Sequence, residues 1–248
     1  MQLPLAATLL LAWPRAAQGR QSGPAACKVA EWERREIKGC SKLFLHYAKL
    51  GDDGAKELAL ALQGSAVTSI SLFGCGIGDR GAAALAAAME QTDAPLKLEI
   101  LDLGGNSIGD AGAAALGHAL QVFAGLTELN LADNKEITDV GAKAIAQSLD
   151  PGYTECELRT LNLWGVNKIG QMGVEALVKA AEMHPSLVTV VLQPAESADP
   201  AMVKRLQMAC GMNKKSQHYG LKPGGTKKGT MQQATMKTNL LKMKNREL

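Results

Sequence analysis

The chain has 248 residues, 46% of them hydrophobic and 21% charged, a composition typical of one folded unit with attached tails. Aromatic residues make up only 4%, which excludes a core built around large rings and favours many small, similar layers. The net charge of +3 hides a division, because residues 1–211 carry 18 basic and 23 acidic side chains whereas residues 212–248 carry nine and one. We therefore expect a mildly acidic body with a basic tail.

The N-terminal segment, residues 1–24, contains an apolar run from Leu3 to Trp13, followed by the small residues Ala16-Ala17-Gln18-Gly19. The run is too short to span a bilayer, and its flank fits a signal-peptide cleavage pattern. Against secretion, no basic residue precedes the run and the chain has no N-x-S/T acceptor. A signal peptide, an organelle transit sequence and an unstructured extension all stay open. The protein is thus expected to be cytoplasmic, or secretory or organellar if residues 1–19 are cleaved.

Residues 25–39 are predicted to form a short N-terminal capping helix that ends at Gly39. Its apolar residues Val29, Trp32 and Ile37 fall on one side of such a helix. A stack of repeats needs a covering element of this kind to keep its first layer dry.

Residues 40–194 repeat one pattern about five and a half times: an L-x-L strand core, a turn, then an apolar residue, a polar pair and a glycine. The units are spaced by 27 to 32 residues, and their first strand residues are Leu43, Ile70, Leu101, Leu129, Leu161 and Val190. Alternation within L-x-L predicts a strand with one buried face, and the segment after each glycine has helical periodicity. Each unit is too small to bury its own apolar face, so the units must stack into a solenoid.

An aspartate and a glycine open most of the predicted helices. The aspartates Asp52, Asp79, Asp110 and Asp139 fall in first turns, where a carboxylate complements the helix dipole. The glycine allows the helix backbone to approach the strand layer closely. We interpret both series as structural, not as a catalytic carboxylate set.

One segment, Gly76 to Gly81, matches the dinucleotide-binding pattern G-x-G-x-x-G, with Glu99 and Asp102 at a suitable distance downstream. Two of its glycines are repeat positions, equivalent to Gly109 and Gly112. The helix-strand layer also recurs without the full motif, so we assign these glycines to the scaffold and expect no cofactor.

The fullest repeat, Leu98-x-x-Leu101-x-Leu103-x-x-Asn106-x-Ile108, matches the pattern L-x-x-L-x-L-x-x-N/C-x-L. In this the chain resembles leucine-rich-repeat proteins, and its long units are similar to the ribonuclease-inhibitor subclass. Similar long repeats occur in nucleotide-binding, leucine-rich-repeat sensors and in activators of the Ran GTPase. The resemblance implies an α/β solenoid forming a short arc, with parallel strands on the concave face and helices on the convex face.

The five cysteines show no C-x-x-C pair and no spacing suited to zinc. Cys75 falls in the turn position that Asn106 occupies in a later repeat, and we expect a buried, unreactive thiol there. Cys27 and Cys40 are candidates for a bridge in the terminal cap if the protein is secreted. The four histidines fall in unrelated places and no catalytic motif is present, so the sequence indicates a protein without enzymatic activity, metal or cofactor.

Residues 195–212 are predicted to form a C-terminal capping helix that starts at Asp199-Pro200 and stops at Gly211. Residues 213–248 are rich in Lys, Gly, Thr, Gln and Met, a composition that cannot bury enough apolar surface to fold alone. We favour a solvated basic tail over a tether to anionic lipid, nucleic acid or an acidic partner, because its lysines are dispersed and no aromatics interleave with them.

The residues that flank the inward leucines are predicted to line the concave face and to bind a protein partner. The candidate binding residues combine an acidic and amide centre with flanking aromatics, and they are Phe73, Asp102, Glu128, Asn130, Asn162 and Trp164. The predicted function is that of a monomeric, non-enzymatic interaction scaffold. The alternatives are a regulator of a small GTPase, similar to the Ran activators, and an adaptor that uses its basic tail.

Overall fold

The computed structural model describes residues 25–27, 37, 39–91, 96–150, 152, 156–166, 168–193 and 198–218. The predicted leader at residues 1–24 and the positions of Val29 and Trp32 lie outside the described residues. So do residues 219–248 of the predicted basic tail.

In the part of the chain that the structure describes, seven strands form one parallel sheet whose order follows the chain. The strands are β1 (Ala25–Cys27), β2 (Cys40–Phe44), β3 (Ser69–Ser71), β4 (Ile100–Asp102), β5 (Glu128–Asn130), β6 (Thr160–Leu163) and β7 (Thr189–Leu192). The residues paired across β2 to β7 are those that open each repeat in the sequence: Leu43, Ile70, Leu101, Leu129, Leu161 and Val190. The repeat spacing read from the sequence is therefore the register of the sheet.

Six helices among the described residues each follow a strand. They are α1 (Gly51–Leu62), α2 (Asp79–Met89), α3 (Asp110–Val122), α4 (Asp139–Ser148), α5 (Gln171–Met183) and α6 (Pro200–His218). Each helix packs against the next helix in the chain. None of the helices in the described part of the chain is long and apolar enough to cross a membrane.

The core lies between the sheet and the helix layer and consists of small and aliphatic side chains. Leu43, Ile70 and Leu161 are fully buried in the sheet, and the helices add residues such as Ala55 and Leu116. Of the five aromatic residues in the described ranges, only Phe123 belongs to this core. The core is therefore a stack of similar layers, as the low aromatic content predicts.

The first-turn aspartates bind the helix of the following repeat. Asp52 Oδ1 accepts hydrogen bonds from the backbone N–H groups of Gly78 (2.7 Å) and Gly81 (2.8 Å), which lie at the N-terminus of α2. Gly78 is the N-cap residue of α2 and has no side chain to offer, so the aspartate of the preceding repeat supplies the cap.

The same arrangement recurs along the stack. Asp79, Asp110 and Asp139 each bind two backbone N–H groups of the next helix, at distances of 2.7 to 2.9 Å. In the last step Gln171 replaces aspartate, and its side-chain oxygen accepts from the N–H of Asp199, just before α6. We call these contacts the aspartate ladder.

The aspartate ladder explains why the repeated pattern has a glycine in the first turn of its helix. A Cβ atom on Gly81, Gly112, Gly141 or Gly173 would lie 2.6 to 2.8 Å from the Oδ1 of the preceding aspartate. The sequence predicts a close approach of the helix backbone to the strand layer, whereas the closest neighbour here is the carboxylate.

Buried amides link the turns of successive repeats. Asn106 Oδ1 accepts from the N–H of Ile77, and its Nδ2 donates to the carbonyls of Leu72 and Leu103. Asn134 makes the equivalent contacts one repeat later. In the first such turn the side chain is that of Cys75, whose sulfur lies 2.7 Å from the carbonyl oxygen of Leu45 and is buried, as predicted.

The N-terminal end differs from the prediction, because Ala25–Cys27 forms strand β1 and not the start of a helix. β1 pairs with β2, and a disulfide joins Cys27 to Cys40 with their Cα atoms 5.7 Å apart. Pairing with the open edge of β2 satisfies backbone groups that the sequence alone assigns to a helix. Residues 28–36 lie outside the described residues.

The predicted stop of the last helix at Gly211 is also wrong, because α6 continues to His218. The reason is Asn213, which is buried and donates through Nδ2 to the carbonyls of Ala181, His184 and Leu187. The carbonyls of Ala181 and His184 lie at the C-terminal end of α5, where intrahelical partners run out, and the carbonyl of Leu187 lies between α5 and β7. The tertiary contact therefore carries the helix through a glycine that would otherwise favour its end.

Replacing Asp110 by alanine should lower the free energy of unfolding by about 1–3 kcal/mol, because two buried N–H groups at the start of α4 lose their acceptor. Asp53→Ala, at an exposed position in α1, is the matched control and should change it by at most about 0.5 kcal/mol. Urea denaturation measures both values. Equal losses for the two variants would refute the ladder.

The same pair tests the ladder against pH. Burial alone would raise the pKa of Asp110, but hydrogen bonds from Thr138 and Gly141 outweigh it and lower that pKa below the ordinary value of 3.8. A carboxyl with a lowered pKa stabilises the fold above its unfolded-state pKa, and the effect is lost as pH falls through the folded-state value. The stability difference between wild type and Asp110→Ala should therefore shrink below about pH 4.

Replacing Asn213 by alanine should cost about 1–3 kcal/mol of unfolding free energy, since three carbonyls lose their donor. Gln207→Ala, at an exposed position on the same helix, serves as the control and should be near neutral. Thermal and urea unfolding would show the difference. A silent Asn213→Ala variant would contradict the anchoring of α6 to α5.

Candidate functional site

The concave face is the side of the sheet that the helices leave uncovered. Its central row contains one residue from each of six strands, aligned by the register: Phe44, Ser71, Asp102, Asn130, Asn162 and Val191. Glu128 lies in the row that precedes it, between Ile100 and Thr160. Phe73 and Trp164 lie in the row that follows it, which backbone hydrogen bonds such as Asp133 N–H to the Trp164 carbonyl continue beyond the strands. All six predicted binding residues thus lie on one face.

Three side chains at the centre of this face bind one another. Asp102 Oδ2 accepts from the Ser71 hydroxyl at 2.6 Å, and Asp102 Oδ1 accepts from Asn130 Nδ2 at 2.8 Å. Asp102 Oδ1 also accepts from the N–H of Gly104. These contacts use three of the roughly four acceptor positions of a carboxylate. Asp102 therefore has a structural role, because its hydrogen bonds link β3, β4 and β5; we call Asp102, Asn130 and their partners the frame of this face.

The two asparagines of the same row have a related role. Asn130 Oδ1 accepts from the N–H of Ala132, and Asn162 Oδ1 accepts from the N–H of Trp164. A side chain that binds the backbone two residues on turns the chain out of the strand. Asn130 and Asn162 thus shape the ends of β5 and β6, a role that periodicity alone did not reveal.

Two of the predicted residues are free to meet a partner. Trp164 is 52% exposed, although the core of its repeat is built from buried aliphatic residues such as Leu161 and Leu163. Glu128 is exposed, and within the described residues its carboxylate takes part in no ion pair. Both side chains are therefore within reach of a partner.

The N-terminal end of the face carries an aromatic group that the sequence prediction included only through Phe73. Phe73 is half-buried against Gly104 and Gly105, and its ring meets that of Tyr47 edge-on, with centroids 5.6 Å apart. Tyr47 is 69% exposed and has a positive φ of 58°, which is uncommon outside glycine. Phe44, in β2, makes a separate edge-on ring contact with His46. In the sequence, the close spacing of the rings of Phe44, His46 and Tyr47 is the feature that could have indicated this aromatic surface.

The remaining titratable groups do not assemble a catalytic site in the described part of the chain. Burial raises the pKa of the Cys75 and Cys210 thiols and raises that of Cys156 to about 11. These three thiols are therefore protonated and unreactive at neutral pH. His184 is buried, and burial lowers the pKa of its imidazole. Among the described residues no group of side chains is arranged to hold a metal ion.

Comparisons with known proteins agree on the architecture. The family profile described as Leucine Rich repeat matches residues 67–86, 95–117 and 126–146. A solved structure named Leiomodin-1 Actin-Binding Site 2 (ABS2) is similar to this chain, with a TM-score of 0.56 and 18% sequence identity. The match covers 68% of this chain and 92% of that chain. No curated protein sequence matches the chain.

The chain thus contains leucine-rich repeats, and its fold is a leucine-rich-repeat solenoid, as the sequence predicts. Domains of this class generally mediate protein–protein interaction and are typically non-enzymatic. Assignment to the ribonuclease-inhibitor-like subclass stays a prediction.

Substitutions at hydrogen-bonded positions of the concave face should lower the free energy of unfolding, whereas substitutions at exposed positions should not. Asp102→Ala should reduce the free energy of unfolding by about 1–3 kcal/mol, because Ser71, Asn130 and the Gly104 N–H lose an acceptor. Glu128→Ala should change it by at most about 0.5 kcal/mol. Urea denaturation of the two variants checks this division, which equal effects would disprove.

Proposed function

We propose that this protein is a non-enzymatic scaffold that binds a protein partner on the concave face of its repeats. The observation that carries the proposal is Trp164, a large aromatic side chain held 52% exposed in a protein whose core is aliphatic. Tryptophan is enriched among the residues that dominate binding energy at interfaces. Val191 of β7, which pairs with Asn162 two residues before Trp164, is 37% exposed and adds apolar surface to this end of the face.

The rigidity of the surrounding face supports the same function. The side chains of Asp102, Asn130 and Asn162 each accept a hydrogen bond from the backbone two residues further on, so this surface is ordered before a partner binds. A pre-organised surface loses little conformational entropy on binding. Binding energy is then expected to come from the exposed residues between the frame positions, chiefly Trp164 and Glu128.

The aromatic group at the N-terminal end extends this surface. Phe44 lies in β2, Tyr47 and Phe73 lie just beyond β2 and β3, and Trp164 lies just beyond β6. Aromatic side chains at both ends of a polar centre are a common composition for a protein interface. A partner that spans the face would therefore contact apolar surface at each end and polar side chains between them.

The name of the similar solved structure offers one partner to test. That protein is named for an actin-binding site, and the likeness to it is one of fold at 18% identity. Actin therefore belongs in a binding panel as a purified candidate, beside partners found by capture from cells.

Trp164→Ala should weaken partner binding by about 2 kcal/mol or more, roughly thirtyfold in affinity, without changing the thermal midpoint. The measurement is proximity labelling in cells, with quantitative comparison of wild type and variant, followed by direct titration of the proteins found. Leu60→Ala is the matched control, because Leu60 is 61% exposed but lies on α1.

Each result has a defined reading. Loss of the same proteins in both variants would indicate a general effect of removing apolar surface. Unchanged capture by Trp164→Ala would reject the concave face as the binding surface. A chain ending at His218 should keep its partners if the concave face binds them, and should lose them if residues 219–248 do.

A further inference from the structure

Negative charge is concentrated in the middle of the concave face. In the three rows that form this face, β4, β5 and β6 with the residues directly after them carry two acids, Asp102 and Glu128, and no base, a net charge of −2. The corresponding segments of β3 and β7, residues 68–73 and 188–193, carry no charged residue. The acidic region is thus bounded on both sides along the sheet.

These carboxylates have no cationic partner within the described residues. The ion pairs there involve Asp52, Glu90, Glu136 and Glu182, none of which belongs to a strand of the sheet. Glu128 is exposed, and Asp102 is half-buried with its contacts made by neutral groups. The charge of this region is therefore left for something outside the protein to neutralise.

The basic residues at the far end of the face do not offset it. Lys42 lies in the same row as Glu128 but three strands away, separated by Ser69 and Ile100. At about 4.8 Å per strand the separation is roughly 14 Å, which exceeds the screening length of about 8 Å at physiological salt. His46 follows β2, the same remote strand, and Arg159 lies outside the rows of this face.

Trp164 follows β6, the strand that pairs with β5, but it does not lie opposite Glu128. Glu128 is aligned with Thr160, four residues before Trp164, so their backbone positions are roughly 13 Å apart along the strands. A partner segment of several residues can reach both features, with a guanidinium or ammonium group paired to a carboxylate and a second side chain on the indole ring. A basic residue therefore complements this part of the face better than an acidic or a purely apolar one.

We propose that the concave face selects a protein segment that presents an arginine or lysine to Glu128 and Asp102 and a second side chain to the indole of Trp164. This inference rests on the proposed function and adds the chemistry of the partner. Asp102 retains acceptor capacity after its contacts with Ser71, Asn130 and Gly104, and Glu128 is the carboxylate most open to a partner.

The test is a selection of random twelve-residue peptides displayed on phage, with the full-length chain immobilised. Four proteins are compared: wild type, Glu128→Gln, Trp164→Ala, and the control Asp53→Asn, which removes the same charge at an exposed position of α1. Thermal unfolding of each protein verifies that the fold is unchanged.

We expect wild type and Asp53→Asn to enrich peptides rich in arginine or lysine. A synthetic copy of an enriched peptide should bind Glu128→Gln up to about fivefold more weakly and should bind Trp164→Ala still more weakly. Raising the salt concentration should weaken binding to wild type more than binding to Glu128→Gln.

The remaining outcomes overturn the inference in distinguishable ways. Enriched peptides that are neutral or acidic, and that are lost on Trp164→Ala, would reject the basic partner while the concave binding face stands. Peptides that bind all four proteins equally, or no enrichment at all, would reject both this inference and the proposed function.

Discussion

The structure depends on one contact that is repeated along the stack: an aspartate in the first turn of a helix that accepts two backbone N–H groups from the start of the next helix. The donors at a helix start need partners, and here the preceding repeat provides them. Each helix is thus complete only when its neighbour is in place. The contact also demands a glycine, because a Cβ at Gly112 would lie 2.7 Å from the Asp79 carboxylate.

The consequence for function is a division of labour between the two faces. The ladder and the buried asparagines hold the repeats in fixed register, so the sheet offers a surface whose residues need not contribute to packing. Part of that surface still serves the frame, as the contacts of Asp102 with Ser71 and Asn130 show. Trp164 and Glu128 are exposed between these positions, and they are the residues on which the proposed binding depends.

The candidate site could be predicted from the sequence in position but not in chemistry. The period-two pattern places Asp102, Asn130 and Trp164 on the face opposite the buried leucines, and the structure has them there. It does not tell which of them is already hydrogen-bonded, because Ser71 and Asp102 are 31 residues apart in the chain. The sequence prediction also missed Tyr47, because this residue lies in a turn with positive φ and outside the period-two strand pattern.

The sequence by itself determined the spacing of the repeats, the residues that align across β2 to β7 and the aliphatic nature of the core. Repeats whose apolar faces can be buried only by neighbours leave one way to stack. Only the tertiary structure decided the two ends and the partners of the polar groups. Ala25–Cys27 became a strand because β2 offered an open edge, and α6 passed Gly211 because Asn213 reached the carbonyls at the end of α5. At both ends the local sequence preference did not decide the structure. A neighbouring element had backbone groups that needed hydrogen-bond partners, and satisfying them outweighed the preference of a single residue.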